Sequence, residues 1–172
     1  VLADPEVFSI ALDAMEEKVT GQKVDKIIGI DARGFIFGAA LADRMKAGFV
    51  PLRKKGKLPY KSHEVSYSLE YGEATIEIHE DAVAPGERVY LVDDLLATGG
   101  TASAAIDLID RLKGDLVAVS FLVELAFLNG QVDAEDNPSQ HEGGDLPTPH
   151  GASASEDEYW VVHVDLHSLA RP

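Results

Sequence analysis

The chain of 172 residues has no cysteine, half as many basic as acidic side chains, and no long hydrophobic run. Without cysteine it forms no disulfide bond and has no thiol nucleophile, which fits a reducing compartment such as the cytoplasm. The net charge of −15, from 15 basic and 30 acidic residues, argues against binding to nucleic acid or to an anionic membrane surface. The longest apolar run is too short to span a membrane. We therefore expect a cytoplasmic protein with a single domain over 1–172.

Two common nucleotide-binding signatures are also absent. The chain has neither the lysine-bearing G-x-x-x-x-G-K-[ST] loop nor the dinucleotide-binding G-x-G-x-x-G. It does contain V-Y-L-V-D-D-L-L-A-T-G-G-T at 89–101, in which 89–92 is typical of a strand buried on both faces of a parallel sheet. From Thr101 onward the apolar residues recur at helical spacing. The stretch therefore predicts a strand, a tight turn and a helix.

The predicted turn has the features of an anion-binding site. Gly99 and Gly100 permit positive φ angles and a close approach of the backbone to a ligand. The unpaired N–H groups and the dipole of a helix N-terminus attract negative charge. Thr98 and Thr101 add hydroxyl donors. We expect this turn to bind a phosphate monoester, through Ala97, Thr98, Gly99, Gly100 and Thr101.

Two carboxylates, Asp93 and Asp94, follow the apolar strand directly. Open α/β sheets bind their ligands at the carboxyl ends of the strands, where acidic residues accept hydrogen bonds from ribose hydroxyls. The alternative is that the pair only ends the strand and stabilises a turn. The anion-binding turn that follows favours a ribose phosphate as the ligand.

Cations occur at two other predicted strand ends. Arg33 follows the strand predicted at 26–30, where it could bind a phosphate with two parallel hydrogen bonds or could pair with Asp31. R-K-K-G-K at 53–57 follows a short strand at 49–52, and it is either a clamp for a polyanion or a solvated loop.

The remaining patterns predict the other elements. A helix is expected to begin after Asp4 as N-cap with Pro5 as its first residue and to end near Gly21. Residues 60–66 indicate a mobile loop. Alternating patterns at 65–72 and 74–78 predict a hairpin, and further strands are expected at 116–123 and 159–166. The stretch 131–158 has eight acidic residues and no Lys or Arg, which is typical of a flexible acidic insertion.

Four motifs together resemble those of the type I phosphoribosyltransferases, in the form found in the adenine-specific members. They are V-D-D-L-L-A-T-G-G-T at 92–101, A-R-G-F-I-F-G at 32–38, R-K-K-G-K-L-P at 53–59 and S-L-E-Y-G at 68–72. The resemblance implies an α/β fold, with a central mostly parallel sheet flanked by helices and a flexible β-hairpin loop over the active site. It also implies a homodimer that transfers the 5-phosphoribosyl group of phosphoribosyl pyrophosphate (PRPP) to adenine, with Mg²⁺, giving AMP and pyrophosphate.

The resemblance implies a role for each candidate residue. The 5-phosphate is expected at 97–101 and the ribose at Asp93 and Asp94, with Mg²⁺ carried near this pair by substrate oxygens. Glu70, followed by Tyr71, is expected at the imidazole edge of adenine, and Leu125 under the base. The residues expected to bind pyrophosphate are Arg33, Arg53, Lys54 and Lys57.

Two other functions remain open from the sequence. Adenine-specific members carry an N-terminal hood of the F-P-x-P-G type, and no such segment precedes Val1, so base selectivity is expected to depend on Glu70 and Leu125. A transferase for xanthine or orotate is therefore one alternative. A non-catalytic protein of the same fold that senses PRPP or nucleotides is the other.

Overall fold

The structure is a computed structural model that describes residues 1–69 and 72–125. The acidic stretch 131–158 and the strand expected at 159–166 lie outside these residues. The described chain contains three helices and six strands, as expected for an α/β protein. They are α1 (Pro5–Glu17), β1 (Lys26–Ile30), α2 (Gly34–Met45), β2 (Gly48–Lys54), β3 (Ser62–Leu69), β4 (Gly72–His79), β5 (Arg88–Leu96), α3 (Gly100–Arg111) and β6 (Asp115–Glu124). The strands β2 to β5 follow one another without a helix between them.

The described strands form one sheet in the order β3-β4-β2-β1-β5-β6. Strands β2, β1, β5 and β6 run parallel, whereas β4 is antiparallel to β2 and β3 is antiparallel to β4. The chain passes from β1 outward to β2 and later returns to place β5 on the other side of β1. Strand order thus reverses between β1 and β5, where open α/β sheets bind ligands beyond the carboxyl ends of their strands.

Both faces of the central strands are buried, which explains their continuous apolar sequence. On β1, Ile27 packs in the cluster with α1 and α2, whereas its neighbour Ile28 packs in the cluster with α3. On β5, Tyr90 packs on the α1 and α2 side and Leu91 packs on the α3 side. Residues that fill the α3 side include Leu52, Ala105, Leu108 and Ile109, and residues on the other side include Leu12, Met15, Phe37 and Leu41.

The first helix begins as predicted and ends early. The Asp4 carboxylate accepts hydrogen bonds from the backbone N–H groups of Glu6 and Val7, and Pro5 is the first helical residue. The helix ends at Glu17 rather than near Gly21. Within the described residues, no helix is long and apolar enough to cross a membrane.

The mobile loop predicted at 60–66 is wrong from Ser62 onward, because this segment is the first half of β3. Its polar side chains hid the strand from sequence analysis, yet they find partners: Glu64 pairs with Lys55, and the hydroxyls of Ser66 and Thr75 lie 2.8 Å apart. The predicted hairpin is confirmed, with β3 and β4 in register from Ser62 opposite His79 to Leu69 opposite Gly72.

Candidate active site

The predicted turn after β5 is present, but the strand that precedes it is longer than expected. β5 continues through both aspartates to Leu96 and pairs with β6 along its whole length. Gly99 caps α3 with φ of +86°, a left-handed conformation that suits glycine. Gly100 has no positive φ and is the first residue of α3. A Cβ at Gly100 would lie 3.3 Å from the Tyr67 ring, so this glycine serves a close contact instead.

A cavity of about 70 Å³ lies against this turn, which we call the phosphate loop (residues 97–101). It is open to Thr98 and Thr101 on the loop, to Asp93 on β5, and to the carboxyl end of β1 at Ile30. Five residues predicted to bind a ribose phosphate therefore share one cavity, namely Asp93, Ala97, Thr98, Gly99 and Thr101.

The two aspartates lie in different environments. The Asp94 carboxylate forms a salt bridge with Arg33, with Oδ2 2.8 Å from Nε, and the Asp94 backbone N–H donates to Asp93 Oδ1 at 2.8 Å. Arg33 thus pairs across the strand-order reversal with Asp94, whereas the sequence alternative was Asp31. The Arg33 side chain is 64% exposed, so its guanidinium remains accessible to a ligand.

The pKa of the Asp93 carboxyl is raised to about 7: burial raises it most, and the neighbouring Asp94 charge adds to this, whereas the hydrogen bond from the Asp94 backbone opposes it. A carboxyl group with such a pKa exchanges a proton near neutral pH. It can therefore accept hydrogen bonds from ligand hydroxyls or, when protonated, donate one.

Close packing of α2 against the sheet places Arg33 beside Asp94. A Cβ on Gly34 would lie 2.7 Å from the Val92 carbonyl oxygen and 2.9 Å from Asp93 Oδ1. A Cβ on Gly29 would lie 2.7 Å from the Gly34 carbonyl oxygen. These contacts are possible only for glycine, so the A-R-G motif places its arginine by backbone approach.

The basic cluster spans the end of β2, which continues through Arg53 and Lys54, and the turn that follows it. We call this segment, residues 53–58, the basic loop, and two acidic residues stabilise it. Arg53 Nε lies 3.3 Å from Asp31 Oδ2 at the end of β1, and Arg53 Nη1 donates to the Lys57 carbonyl oxygen at 3.1 Å. Lys54 and Lys57 have exposed side chains. The pair between Arg53 and Asp31 therefore connects the basic loop to the strand end that precedes Arg33.

Glu77, which no sequence pattern singled out, is the residue around which the basic loop is built. Glu77 is 5% exposed; its Oε1 accepts hydrogen bonds from the backbone N–H groups of Lys57 and Leu58, both at 2.8 Å. Its Oε2 accepts one from the Ser62 hydroxyl at 3.2 Å. Burial alone would raise the pKa of Glu77, but these donors outweigh burial and lower it. Only the pairing of β2 with β4, which places Glu77 opposite Arg53, reveals this role.

Replacing Glu77 with glutamine is expected to lower the free energy of unfolding by about 1–3 kcal/mol at pH 7, because charge-assisted hydrogen bonds become neutral ones. The lowered pKa means that this stabilisation is present above the ordinary carboxyl pKa near 4.5 and is lost as pH falls through the folded-state value. Urea denaturation at a series of pH values measures the difference. Glu80→Gln, an exposed change just beyond β4, is the control. A Glu77→Gln deficit equal to that of the control would contradict this role.

The other candidate residues are placed less completely. Leu125 follows β6 with its backbone N–H bonded to the Leu96 carbonyl oxygen at 2.9 Å, so it lies at the same sheet edge as the phosphate loop. Glu70 and Tyr71 lie outside the described residues. Tyr67, which no sequence pattern singled out either, lies beside the phosphate loop: its hydroxyl accepts a 2.9 Å hydrogen bond from Thr101 Oγ1. Among the described residues, no three acidic or histidine side chains gather as a metal site.

A cavity at a helix N-terminus, with an acidic pair at a strand-order reversal, is typical of α/β proteins that bind a phosphorylated sugar or nucleotide. Comparison with known proteins identifies the family within this class. The phosphoribosyl transferase domain matches residues 2–157, and the chain belongs to this family. The predicted type I phosphoribosyltransferase fold is thereby confirmed.

Three similar proteins have the same name. An adenine phosphoribosyltransferase of Roseobacter denitrificans is 53% identical over 135 residues, covering 78% of this chain and 77% of that protein. The crystal structure of adenine phosphoribosyltransferase from Rhodothermus marinus is 52% identical with a TM-score of 0.74, covering 76% of this chain and 74% of that one. The Saccharomyces cerevisiae enzyme, solved with adenine and an iminoaltritol bisphosphate, is 41% identical with a TM-score of 0.72, covering 76% of each chain.

Proposed function

We propose that this protein transfers the 5-phosphoribosyl group of PRPP to adenine and releases AMP and pyrophosphate, a purine salvage reaction. The observation that carries the proposal is the shared cavity of the phosphate loop and Asp93, beside the Arg33–Asp94 pair. Identity of 53% to a protein named adenine phosphoribosyltransferase, and a yeast relative solved with adenine, support the choice of base.

The phosphate loop and the acidic pair hold the ribose phosphate. Backbone N–H groups at the start of α3 and the hydroxyls of Thr98 and Thr101 surround the 5-phosphate, which the helix dipole stabilises. Asp93 and Asp94 accept hydrogen bonds from the two ribose hydroxyls. The sugar is then fixed from both ends, with its anomeric carbon toward the cavity opening, so that positioning supplies much of the catalysis.

The cations receive the leaving pyrophosphate. Arg33 is exposed and can exchange its bond to Asp94 for a pyrophosphate oxygen, while Arg53, Lys54 and Lys57 supply further positive charge from the basic loop. As the bond to pyrophosphate breaks, positive charge develops on the sugar ring, as in glycoside hydrolysis. Stabilising the departing charge therefore lowers the barrier.

The base is held from the other side. Leu125 packs against the plane of adenine, and Glu70, followed by Tyr71, lies at its imidazole edge and accepts the proton that the ring loses on attack. Closure of the hairpin that carries these residues excludes water, which would otherwise intercept the reactive sugar.

The acidic pair also fits Mg²⁺ carried by the substrate. Two carboxylates are too few to enclose this ion, which prefers octahedral oxygen ligands and retains several waters, but they suit water-mediated contact with it. When bound, Mg²⁺ offsets the negative charge of the pyrophosphate group. Asp93 and Asp94 would be the residues that face it.

The assembly follows from the family resemblance. The protein acts as a single domain over 1–172 and as a homodimer, in the cytoplasm, where a chain without cysteine loses nothing to the reducing conditions. Exposed apolar side chains on the outer helices, at Ile10 and Ile36, offer area for a subunit contact. Analytical ultracentrifugation tests the dimer.

Pyrophosphate release from PRPP is the test of the activity, with and without Mg²⁺ and with adenine, hypoxanthine, guanine, xanthine and orotate offered separately. We expect Mg²⁺-dependent release with adenine and formation of AMP, and a reaction without base measures PRPP hydrolysis. Release with xanthine or orotate instead would identify another base. PRPP binding without release for any base would favour a sensing protein.

A further inference from the structure

The β3–β4 hairpin and the phosphate loop meet at one side chain, Tyr67. Tyr67 lies on β3 opposite Ala74, and its hydroxyl is 2.9 Å from Thr101 Oγ1, with Thr101 as donor. Its ring covers the start of α3, since a Cβ on Gly100 would lie 3.3 Å from Tyr67 Cδ2. The ring also packs, partly buried, against the core on the α3 side of the sheet. The hairpin therefore contacts the anion site through both the ring and the hydroxyl.

The chemistry of the two hydroxyls makes this contact sensitive to a bound phosphate. Each hydroxyl has one hydrogen to donate and two lone pairs to accept with. With the loop as described, the Thr101 hydrogen points to Tyr67. A phosphate dianion only accepts, so in its presence the Thr101 hydrogen turns to the phosphate. The Tyr67 hydroxyl can then donate its own hydrogen to the Thr101 oxygen.

The result is a chain from Tyr67 to Thr101 to phosphate in which both donors point the same way. Hydrogen bonds in such a chain polarise and strengthen one another, and an ionised acceptor at its end strengthens them further. Phosphate binding therefore strengthens the hydrogen bond between Thr101 and Tyr67. Tyr67 lies near the end of β3, just before the hairpin turn. Glu70 is three residues beyond Tyr67 in the sequence.

We propose that Tyr67 is a positioning residue: its hydrogen bond to Thr101 couples binding of the 5-phosphate to the seating of the hairpin that carries Glu70. This inference rests on the proposed function for the identity of the phosphate ligand. It assigns Tyr67 no contact with substrate. The alternative is that the Tyr67 hydroxyl only stabilises the fold.

Two tyrosine-to-phenylalanine variants separate these roles. Tyr67→Phe removes the hydroxyl and leaves the ring on Gly100. Tyr90→Phe is the matched control, because the Tyr90 hydroxyl is also hydrogen-bonded, at 3.0 Å to the Met15 carbonyl oxygen and 2.7 Å to Ser120 Oγ, but is buried in the core. A hydroxyl with a purely structural role is expected to behave as that of Tyr90 does.

The readout is hydrogen exchange of backbone amides with and without ribose 5-phosphate, a ligand that has the phosphate but neither base nor pyrophosphate. We expect the ligand to slow exchange at 97–101 and along 62–69 in the wild-type protein and in Tyr90→Phe. In Tyr67→Phe we expect slowing at 97–101 alone, and a Kd for ribose 5-phosphate raised about three- to tenfold. We expect the melting temperature to fall more in Tyr90→Phe than in Tyr67→Phe.

Equal slowing along 62–69 in Tyr67→Phe and the wild type would overturn the coupling. So would a wild-type protein in which ribose 5-phosphate slows exchange at the phosphate loop but not in the hairpin. Because this readout needs no turnover, its result is independent of the base assay. A protein that fails to make AMP and still shows the hairpin response would lose the proposed function and keep the coupling.

Discussion

Replacing Asp93 with asparagine is expected to stabilise the folded protein at pH 8 by about 2–4 kcal/mol and to leave its stability at pH 4 nearly unchanged. The pKa of Asp93 is about 7 in the folded protein, against an ordinary value of 3.8. The folded state therefore holds a proton that the unfolded chain releases, so stability falls as pH rises through this range and the loss is complete above pH 7. Asparagine has no charge to bury. Urea denaturation at pH 4 and pH 8 measures the gain.

The same variant is expected to lose catalysis. An asparagine amide offers one acceptor oxygen where the carboxylate offers two, and hydrogen bonds to a charged acceptor are worth about 1.5–3 kcal/mol. We expect kcat/KM for PRPP to fall about 10- to 100-fold. A gain in stability with a loss of activity is typical of a residue that is retained for function at a cost to the fold.

The neighbouring carboxylate is the control for this pair of effects. Asp94→Asn removes the 2.8 Å salt bridge to Arg33 together with the charge that raises the pKa of Asp93, so we expect a smaller gain at pH 8 than for Asp93→Asn. An Asp93→Asn variant that is no more stable than the wild type at pH 8 would show that ionised Asp93 costs the fold nothing. An active Asp93→Asn variant would show that the ribose hydroxyls are held elsewhere.

The second large effect is expected from Gly34→Ala. Its Cβ would lie 2.7 Å from the Val92 carbonyl oxygen and 2.9 Å from Asp93 Oδ1, and the backbone oxygen cannot turn aside as the end of a flexible side chain can. Helix α2 must move away from β5, and the buried start of α2 then loses packing contacts. We expect a loss of about 2–4 kcal/mol in the free energy of unfolding, comparable to severe overpacking.

The displacement of α2 is also expected to disrupt the site. Arg33 immediately precedes Gly34, so its 2.8 Å bond to Asp94 depends on how closely the helix approaches the strand. Activity is therefore expected to fall by at least about 100-fold, since a misplacement of about 1 Å at a reacting centre has that effect. Initial rates at saturating substrate on the folded fraction measure it.

Gly48→Ala is the matched control. A Cβ on Gly48 would lie 3.0 Å from Lys26 Cδ, but the lysine chain is flexible and can move. Neither glycine has a positive φ, and each is the first residue of its helix or strand. The contacts of the added methyl group are therefore the main difference between the two variants. Equal stability and activity for Gly34→Ala and Gly48→Ala would contradict a packing role for Gly34.

The strands and turns that surround the phosphate loop could be predicted because their sequence patterns are local. A buried parallel strand reads as a continuous apolar run, which located 26–30, 89–92 and 116–123. The cap at Asp4 follows from its carboxylate, and the positive φ at Gly99 follows from the lack of a side chain. Paired strands continue past the apolar run, however, which is why Asp93 and Asp94 lie within β5 rather than after it.

The contacts that connect separate elements could not be predicted in this way. The sequence suggested Asp31 as the acidic partner of Arg33, and only the packing of α2 against the sheet brings Arg33 to Asp94 instead. Glu77 and Tyr67 each lie on an alternating hairpin strand, where a polar residue is ordinary. Their roles depend on register and on which helix the hairpin covers, and neither leaves a local signal.

The basic loop owes its shape to Glu77 rather than to its lysines. Because Glu77 accepts its hydrogen bonds from the main-chain N–H groups of Lys57 and Leu58, the path of the loop does not depend on which side chains these positions carry. Charge at Lys54 and Lys57 can therefore be altered by substitution without remodelling the backbone. The protein thus separates the charge of this loop, which we propose binds pyrophosphate, from the backbone structure that presents it, and each can change in evolution or by design without loss of the other.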